Sequence, residues 1–236
     1  MPGMNTPNFP LRQVVLASGN PGKLREFSAL LAPLGIELIP QSRLNVSEAE
    51  EPHVTFVENA LAKARHASQH TGLPALADDS GLCVAALGGA PGVYSARYAQ
   101  RETGAEGNSP HAAPDGLLPP EGAHFALGRP GGKTSDAANN ALLVSKLAGQ
   151  PNRHAWYVAL LVLVRSADDP QPLIGEGVWH GEIVDEPQGS NGFGYDPYFY
   201  LPDQGMTAAA MAPEEKNRVS HRARALQALL AKLRAE

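Results

Sequence analysis

Apolar residues along this chain alternate between strand-like and helix-like spacing, and the order of that alternation predicts an architecture. Gln13–Ala17 (QVVLA) is an apolar run of strand length, followed by the turn residues Ser18–Lys23 (SGNPGK). Leu24–Leu31 then places apolar side chains at helical spacing until Pro33 and Gly35 end the run, and Ile36–Ile39 is a second strand. The chain therefore opens β-loop-α-β, the arrangement expected of an α/β protein. His53–Thr71 is the clearest helical pattern: Thr55 and Glu58 form a T-x-x-E capping box, Gly72 is a stop signal, and Asn59 and Lys63 lie one turn apart on one face.

Ala75–Ala77 and Leu82–Ala86 are short strands on either side of Asp78-Asp79-Ser80-Gly81, read as a tight turn. From about Gln100 to Lys133 the periodicity lapses into Gly, Pro, Ala and His, which predicts a flexible surface insertion at about 101–133. A helix over Asp136–Leu147, capped by Ser135, leads to two long strands, His154–Arg165 and Leu173–Val184. The turn between them at Ala167–Pro170 implies an antiparallel hairpin. A glycine-rich loop over Gly189–Pro197, a short strand at Tyr198–Leu201 and one helical stretch from Pro213 to Arg234 complete the chain.

Composition narrows the classes. A chain of 236 residues suits one substantial core, here a leader over 1–12 and a single domain over 13–236. The longest apolar run, Val158–Val164, falls far short of the ~20 residues of a membrane span. The first ten residues lack a basic region followed by an apolar stretch, and the single cysteine, Cys83, excludes an internal disulfide. Both features favour the cytoplasm. A net charge of −5 argues against broad binding to nucleic acid and leaves a small anionic ligand open. His66, His70, His111, His124 and His154 lack zinc-ligand spacing, and no G-x-S-x-G occurs.

Five clusters could carry chemistry, and each has a plain structural reading beside it. Ser18, Gly19, Asn20, Pro21, Gly22 and Lys23 join a strand to a helix, where glycines, free N–H groups and a lysine suit a phosphate chain; they also make an ordinary β–α turn. Asp78 and Asp79 repel each other unless a cation such as Mg²⁺ or hydrogen bonds relieve them; an Asx turn uses the same residues. Glu48, Glu50 and Glu51 precede the long helix, either as a solvated face favoured by its dipole or as further metal ligands facing Asp79. Phe193, Gly194, Tyr195 and Asp196 could stack on and edge a base, or pack as a turn. Lys216, Ser220, His221 and Arg222 gather donors for phosphate or carbonyl oxygen, or form a basic solvated face.

In order, SGNPGK, FVENALAKA, ADDSGL with GAPGVYSARY, GFGYDPYF and EEKNRVSHRARAL resemble the inosine triphosphate pyrophosphatase family, also known as dITP/XTP pyrophosphatases, over Val14–Leu233. The resemblance implies a long, mixed, twisted sheet flanked by helices, with two lobes and a central cleft. It implies a homodimer and Mg²⁺-dependent hydrolysis of ITP, dITP and XTP to the monophosphate and pyrophosphate. Carried over, Asn20, Lys23 and Lys63 would hold the triphosphate. Asp79 would be the essential carboxylate, as metal ligand or water activator, and Asp78 with Glu50 or Glu51 would help hold the metal. Ser80 would contact substrate, Phe193 would stack on the base, and Asp196 would complete its pocket. Lys216, His221 and Arg222 would read the purine at its 6-keto oxygen. A Maf-like pyrophosphatase of other specificity, or a sensor that binds without cleaving, is the alternative.

Overall fold

The computed structural model describes residues 11–102 and 135–235; the expected leader up to residue 10 and nearly all of the expected insertion lie outside the described residues. The elements in order are β1 (Gln13–Leu16), α1 (Pro21–Leu31), β2 (Glu37–Pro40), α2 (Phe56–Thr71), β3 (Ala75–Val84), α3 (Tyr98–Glu102), α4 (Asp136–Lys146), β4 (His154–Val164), β5 (Leu173–Ile183), β6 (Phe199–Leu201), β7 (Met206–Thr207), α5 (Pro213–Val219) and α6 (His221–Leu233). They form an open seven-stranded sheet in the order β2-β1-β3-β4-β5-β6-β7. β1 runs parallel to both β2 and β3, and the remaining pairs are antiparallel, so the sheet is mixed as expected.

Strand order fixes where a ligand would sit. From β1 the chain crosses through α1 to β2 on one side, then returns through α2 to β3 on the other. Because parallel crossovers are right-handed, the two helices must cover opposite faces. They do: Phe27 and Leu31 of α1 pack with Val14 and Leu16, whereas Ala60, Ala64 and Ala67 of α2 pack with Val15 and Ala17. The ends of β1 and β3 thus flank the point where the winding reverses, the usual crevice of such sheets.

On the α1 face, α6 completes the layer. Ala225, Leu226, Leu229 and Leu233 join Phe27, Leu76 and Leu161 in one core. Gly175 and Gly177 of β5 make this possible. A Cβ on Gly175 would collide with the Ala225 carbonyl oxygen, and one on Gly177 with that of His221. The helix therefore lies against bare strand backbone, which brings its first turn over the middle of the sheet. A second core, with Leu82, Leu143, Leu147, Tyr157, Trp179 and Phe199, fills the other end of the long strands.

Two elements differ from expectation. The Asp78–Gly81 segment is not a turn between short strands but the middle of β3, paired residue by residue with β4 from Ala75–Val164 to Val84–Ala155. Polar side chains broke the apolar period that would have shown one strand. The last helical stretch is two helices, since Ser220 leaves the helical region (ψ 166°) and caps α6 by accepting from the Ala223 N–H at 3.4 Å. Leu11, placed with the leader from sequence, is buried in the α1-side core. Among the described residues, no helix is long and apolar enough to cross a membrane.

Candidate active site

The loop after β1 is built around its own helix cap. The Asn20 side chain accepts from the N–H groups of Gly22 (2.8 Å) and Lys23 (3.3 Å), and Ser18 Oγ accepts from the Asn20 N–H (3.2 Å). With Pro21 at the first helical position, α1 begins three residues earlier than its apolar pattern suggested. The donors expected to be free for an anion are therefore held by Asn20. What the first turn presents is Lys23, whose ammonium lies 2.7 Å from Asp78 Oδ2.

β3 divides the two carboxylates. Successive side chains of a strand point to opposite faces, so the repulsion between Asp78 and Asp79 is relieved by geometry, with a separate cation for each. On the α1/α6 face, Asp78 is 1% exposed. Its Oδ2 meets Lys23, Arg222 Nε at 3.4 Å and the Ser80 hydroxyl, which donates at 3.3 Å. Arg222 Nη2 also donates to Ser80 Oγ at 3.1 Å. Burial pushes the Asp78 carboxyl up, but the Lys23 and Arg222 charges prevail and hold it well below the usual carboxylate range. Burial in turn lowers the Lys23 ammonium despite its partner.

On the α2 face, Lys63 Nζ bridges Asp79 Oδ1 (2.9 Å) and Glu51 Oε1 (2.8 Å). Burial raises the Asp79 carboxyl, and Lys63 offsets only part of that rise. Burial would lower Lys63, but its two carboxylates outweigh it and leave the ammonium raised. Glu51 is held low because Lys63 and Arg97 overcome its burial. The acidic segment is fixed by Asn59, which accepts from the His53 N–H (3.0 Å) and donates to the His53 carbonyl (3.1 Å). Of the two candidate glutamates, Glu51 reaches the site and Glu50 is exposed to solvent. Asp78, expected beside Asp79 as a metal ligand, is on the opposite face of the strand.

A divalent ion would need hard oxygen ligands from these groups. No three His, Cys, Asp or Glu side chains form a cage among the described residues. Mg²⁺ does not require one, since it keeps several waters and binds through one or two carboxylates plus substrate phosphate. The buried Asp79 Oδ2 has no hydrogen-bond partner among the described residues, and Glu51 lies across Lys63 from it. That donor set fits the ion.

The glycine-rich loop forms the outer wall. Phe193 is 40% exposed, with the Arg222 guanidinium 5.1 Å and the Lys216 ammonium 5.6 Å from its ring centroid. The ring also overhangs Gly22, so it faces the loop after β1. Asp196, buried, accepts from the Phe193 N–H at 2.9 Å and from the Lys216 ammonium. Gly192 has φ +79°, and a Cβ there would strike the Asp196 carboxylate. Gly194 is moored to α4: its N–H donates to Asp136 (2.7 Å), and Asn140 donates to its carbonyl (2.9 Å). Tyr195 turns inward instead, joining the second core and donating its hydroxyl to the Ser95 carbonyl at 2.8 Å. Its reading as a substrate contact gives way to packing.

His221 is 2% exposed and stacks on Tyr157 with ring centroids 4.6 Å apart. Burial, reinforced by Arg222, drives its pKa well below the ordinary value, so the ring is neutral; its Nδ1 has no partner among the described residues. The α5–α6 break at Ser220 is what aims Lys216 and Arg222 at one ring from two helices. Sequence reasoning missed Asp136, Asn140, Ser95 and Arg97. The first two followed a Ser135 cap signal that marked a helix start without naming what it holds.

The assembled surface offers four cations, Lys23, Lys63, Lys216 and Arg222, an exposed aromatic ring and two buried carboxylates that each keep one oxygen unpartnered among the described residues. It suits a phosphorylated ligand that carries a flat ring. A family model described as the Ham1 family matches residues 14–126 and 115–232. The dITP/XTP pyrophosphatase of Bordetella pertussis is 69% identical over 225 residues, covering 95% of this chain and 92% of that protein. That of Ralstonia nicotianae is 58% identical over 224 residues, covering 95% and 98%. Among solved structures, a HAM1 protein from Coxiella burnetii superposes with a TM-score of 0.77 at 43% identity, covering 95% of this chain and 99% of that one. The dITP/XTP pyrophosphatase from Mycobacterium abscessus gives 0.65 at 40% identity, covering 92% and 98%.

Proposed function

The chain belongs to the Ham1 family, and from that premise we infer that it hydrolyses deaminated purine nucleoside triphosphates, dITP, ITP and XTP, to the monophosphate and pyrophosphate. The observation that carries the reading is Asp79: a buried carboxylate whose one lysine, from α2, is shared with a neighbouring glutamate.

In this reading Lys23 and Lys63 leave their carboxylates to engage the phosphate chain, and Asn20 lines it. Asp79 lies where a carboxylate can orient the water that attacks the α-phosphorus or accept its proton. The lysines then face the charge that develops on the departing pyrophosphate. Asp79 and Glu51 would hold Mg²⁺, which supplies further charge neutralisation at the phosphates when bound. Asp78 keeps Ser80 and Arg222 in place.

Phe193 stacks on the base. Lys216, Arg222 and the open Nδ1 of His221 supply donors toward a 6-keto oxygen. An adenine amino group at that position would leave such donors unpaired, which disfavours ATP. We assign the protein to the cytoplasm as a homodimer, an assembly that light scattering on the purified chain tests directly. The functional test is pyrophosphate release at alkaline pH with Mg²⁺ from ITP, XTP, dITP, GTP, ATP and a pyrimidine triphosphate. Preference for the first three, lost on chelation, is the expected result. Equal cleavage of all six would overturn the specificity, and binding without pyrophosphate would mark a sensor.

A further inference from the structure

We propose that Arg97 is a positioning residue that holds Glu51 opposite Asp79, a role that rests on the metal reading of those two carboxylates. Glu51 lies in a segment, residues 46–53, without regular secondary structure. Its backbone cannot fix its carboxylate as a strand fixes Asp79. Each of its oxygens instead has its own cation: Lys63 meets Oε1 at 2.8 Å, and Arg97 Nη1 meets Oε2 at 3.4 Å. A second guanidinium nitrogen, Nη2, donates to the Glu51 carbonyl at 3.5 Å, so Arg97 grips main chain and side chain together.

Arg97 can hold Glu51 because its own segment is pinned on three sides. Ser95 Oγ accepts from the Leu82 N–H of β3 at 2.9 Å. Asn139 of α4 accepts from the Ala99 N–H at 2.9 Å and donates to the Ala96 carbonyl at 3.4 Å. Tyr195, from the loop that carries Phe193, donates to the Ser95 carbonyl. The consequence appears when substrate arrives. Lys63 is shared between Asp79 and Glu51, and a phosphate anion competes for it. Once Lys63 turns away, Arg97 is the cation that keeps Glu51 from swinging into solvent.

The test is Mn²⁺ binding followed by electron paramagnetic resonance, on the full chain, with and without a non-hydrolysable ITP analogue. Arg97→Gln is expected to weaken Mn²⁺ about tenfold or more, the effect typical of groups that orient metal ligands. Arg97→Lys should recover part of that loss. The Arg97→Gln effect should vanish in a Glu51→Gln background, because the two residues act through one carboxylate. Wild-type Mn²⁺ affinity in Arg97→Gln, or an equal loss in the Glu51→Gln background, would overturn the proposal. Wild-type affinity in Glu51→Gln itself would overturn the metal reading beneath it. Unchanged melting of Arg97→Gln separates the expected loss from a folding defect, and the partial recovery in Arg97→Lys checks it independently.

Discussion

The two faces of β3 hold the same pair of residue types, a carboxylate and a lysine, in opposite conditions. On the α1/α6 face Asp78 has more positive partners than its charge requires, and it stays ionised far below the ordinary range. Each carboxylate keeps one buried oxygen without a hydrogen-bond partner among the described residues, but on the α2 face Asp79 has a single lysine, shared with Glu51, and its pKa rises. Neighbours in sequence, separated only by the alternation of a strand, are thus set for different work. Asp78, crowded by two cations, holds the fold together; Asp79, whose one lysine is shared, favours a proton or a further cation and is fit for chemistry.

Neutralising each carboxylate in turn should separate the two faces by the widest margin. Asp79→Asn should lower turnover by about 10²–10⁴-fold, the range of a general base, with melting unchanged or raised because a strained buried charge is gone. Turnover within a few-fold of wild type would contradict the assignment. Asp78→Asn should act chiefly on stability. It strands Lys23 and Arg222 in a buried site, and removing one partner of such a pair costs about 3–5 kcal/mol. Denaturant unfolding measures it, and an unaffected midpoint would show that Asp78 is not the structural member.

Phe193→Ala should be milder and confined to binding. Base stacking contributes about 1–3 kcal/mol, so KM for ITP should rise about tenfold while melting stays constant, the ring being half-exposed. The smallest expected effect is on acid stability. The folded pKa of His221 is depressed, so the unfolded chain takes up a proton that the folded one refuses. Stability is therefore lost as pH falls below about 6.5. Asp78, also depressed, adds its own loss only as pH falls below about 4. His221→Gln should flatten melting temperature between pH 7 and 5 and leave the lower limb intact. An unchanged slope across that upper interval would refute the assignment.

Much of this arrangement was legible in the chain, and most of the failures depend on partners distant in sequence. The β-loop-α-β opening, the Thr55 cap, the β4–β5 hairpin and the order of the site motifs depend on residues close in sequence. The continuity of β3 does not. Asp78 is tolerated inside a strand because Arg222, 144 positions away, and Lys23 neutralise it there. Choosing Glu51 over Glu50 likewise depends on Arg97, 46 residues distant. Tyr195 and Phe193 sit two apart in one glycine-rich loop, yet one faces the core and the other the cleft. Their types could not separate them. The break between α5 and α6 did carry a local signal, a serine able to cap, but the helical pattern on both sides masked it.

The Asn20 cap bears on how tightly the site can hold an anion. An anion that reaches the Gly22 and Lys23 amides must first displace the asparagine carbonyl, which amounts to exchanging one cap for another at a cost of about 1 kcal/mol. The resting loop is therefore already latched, and an anion bound at these two amides would forgo about that much affinity.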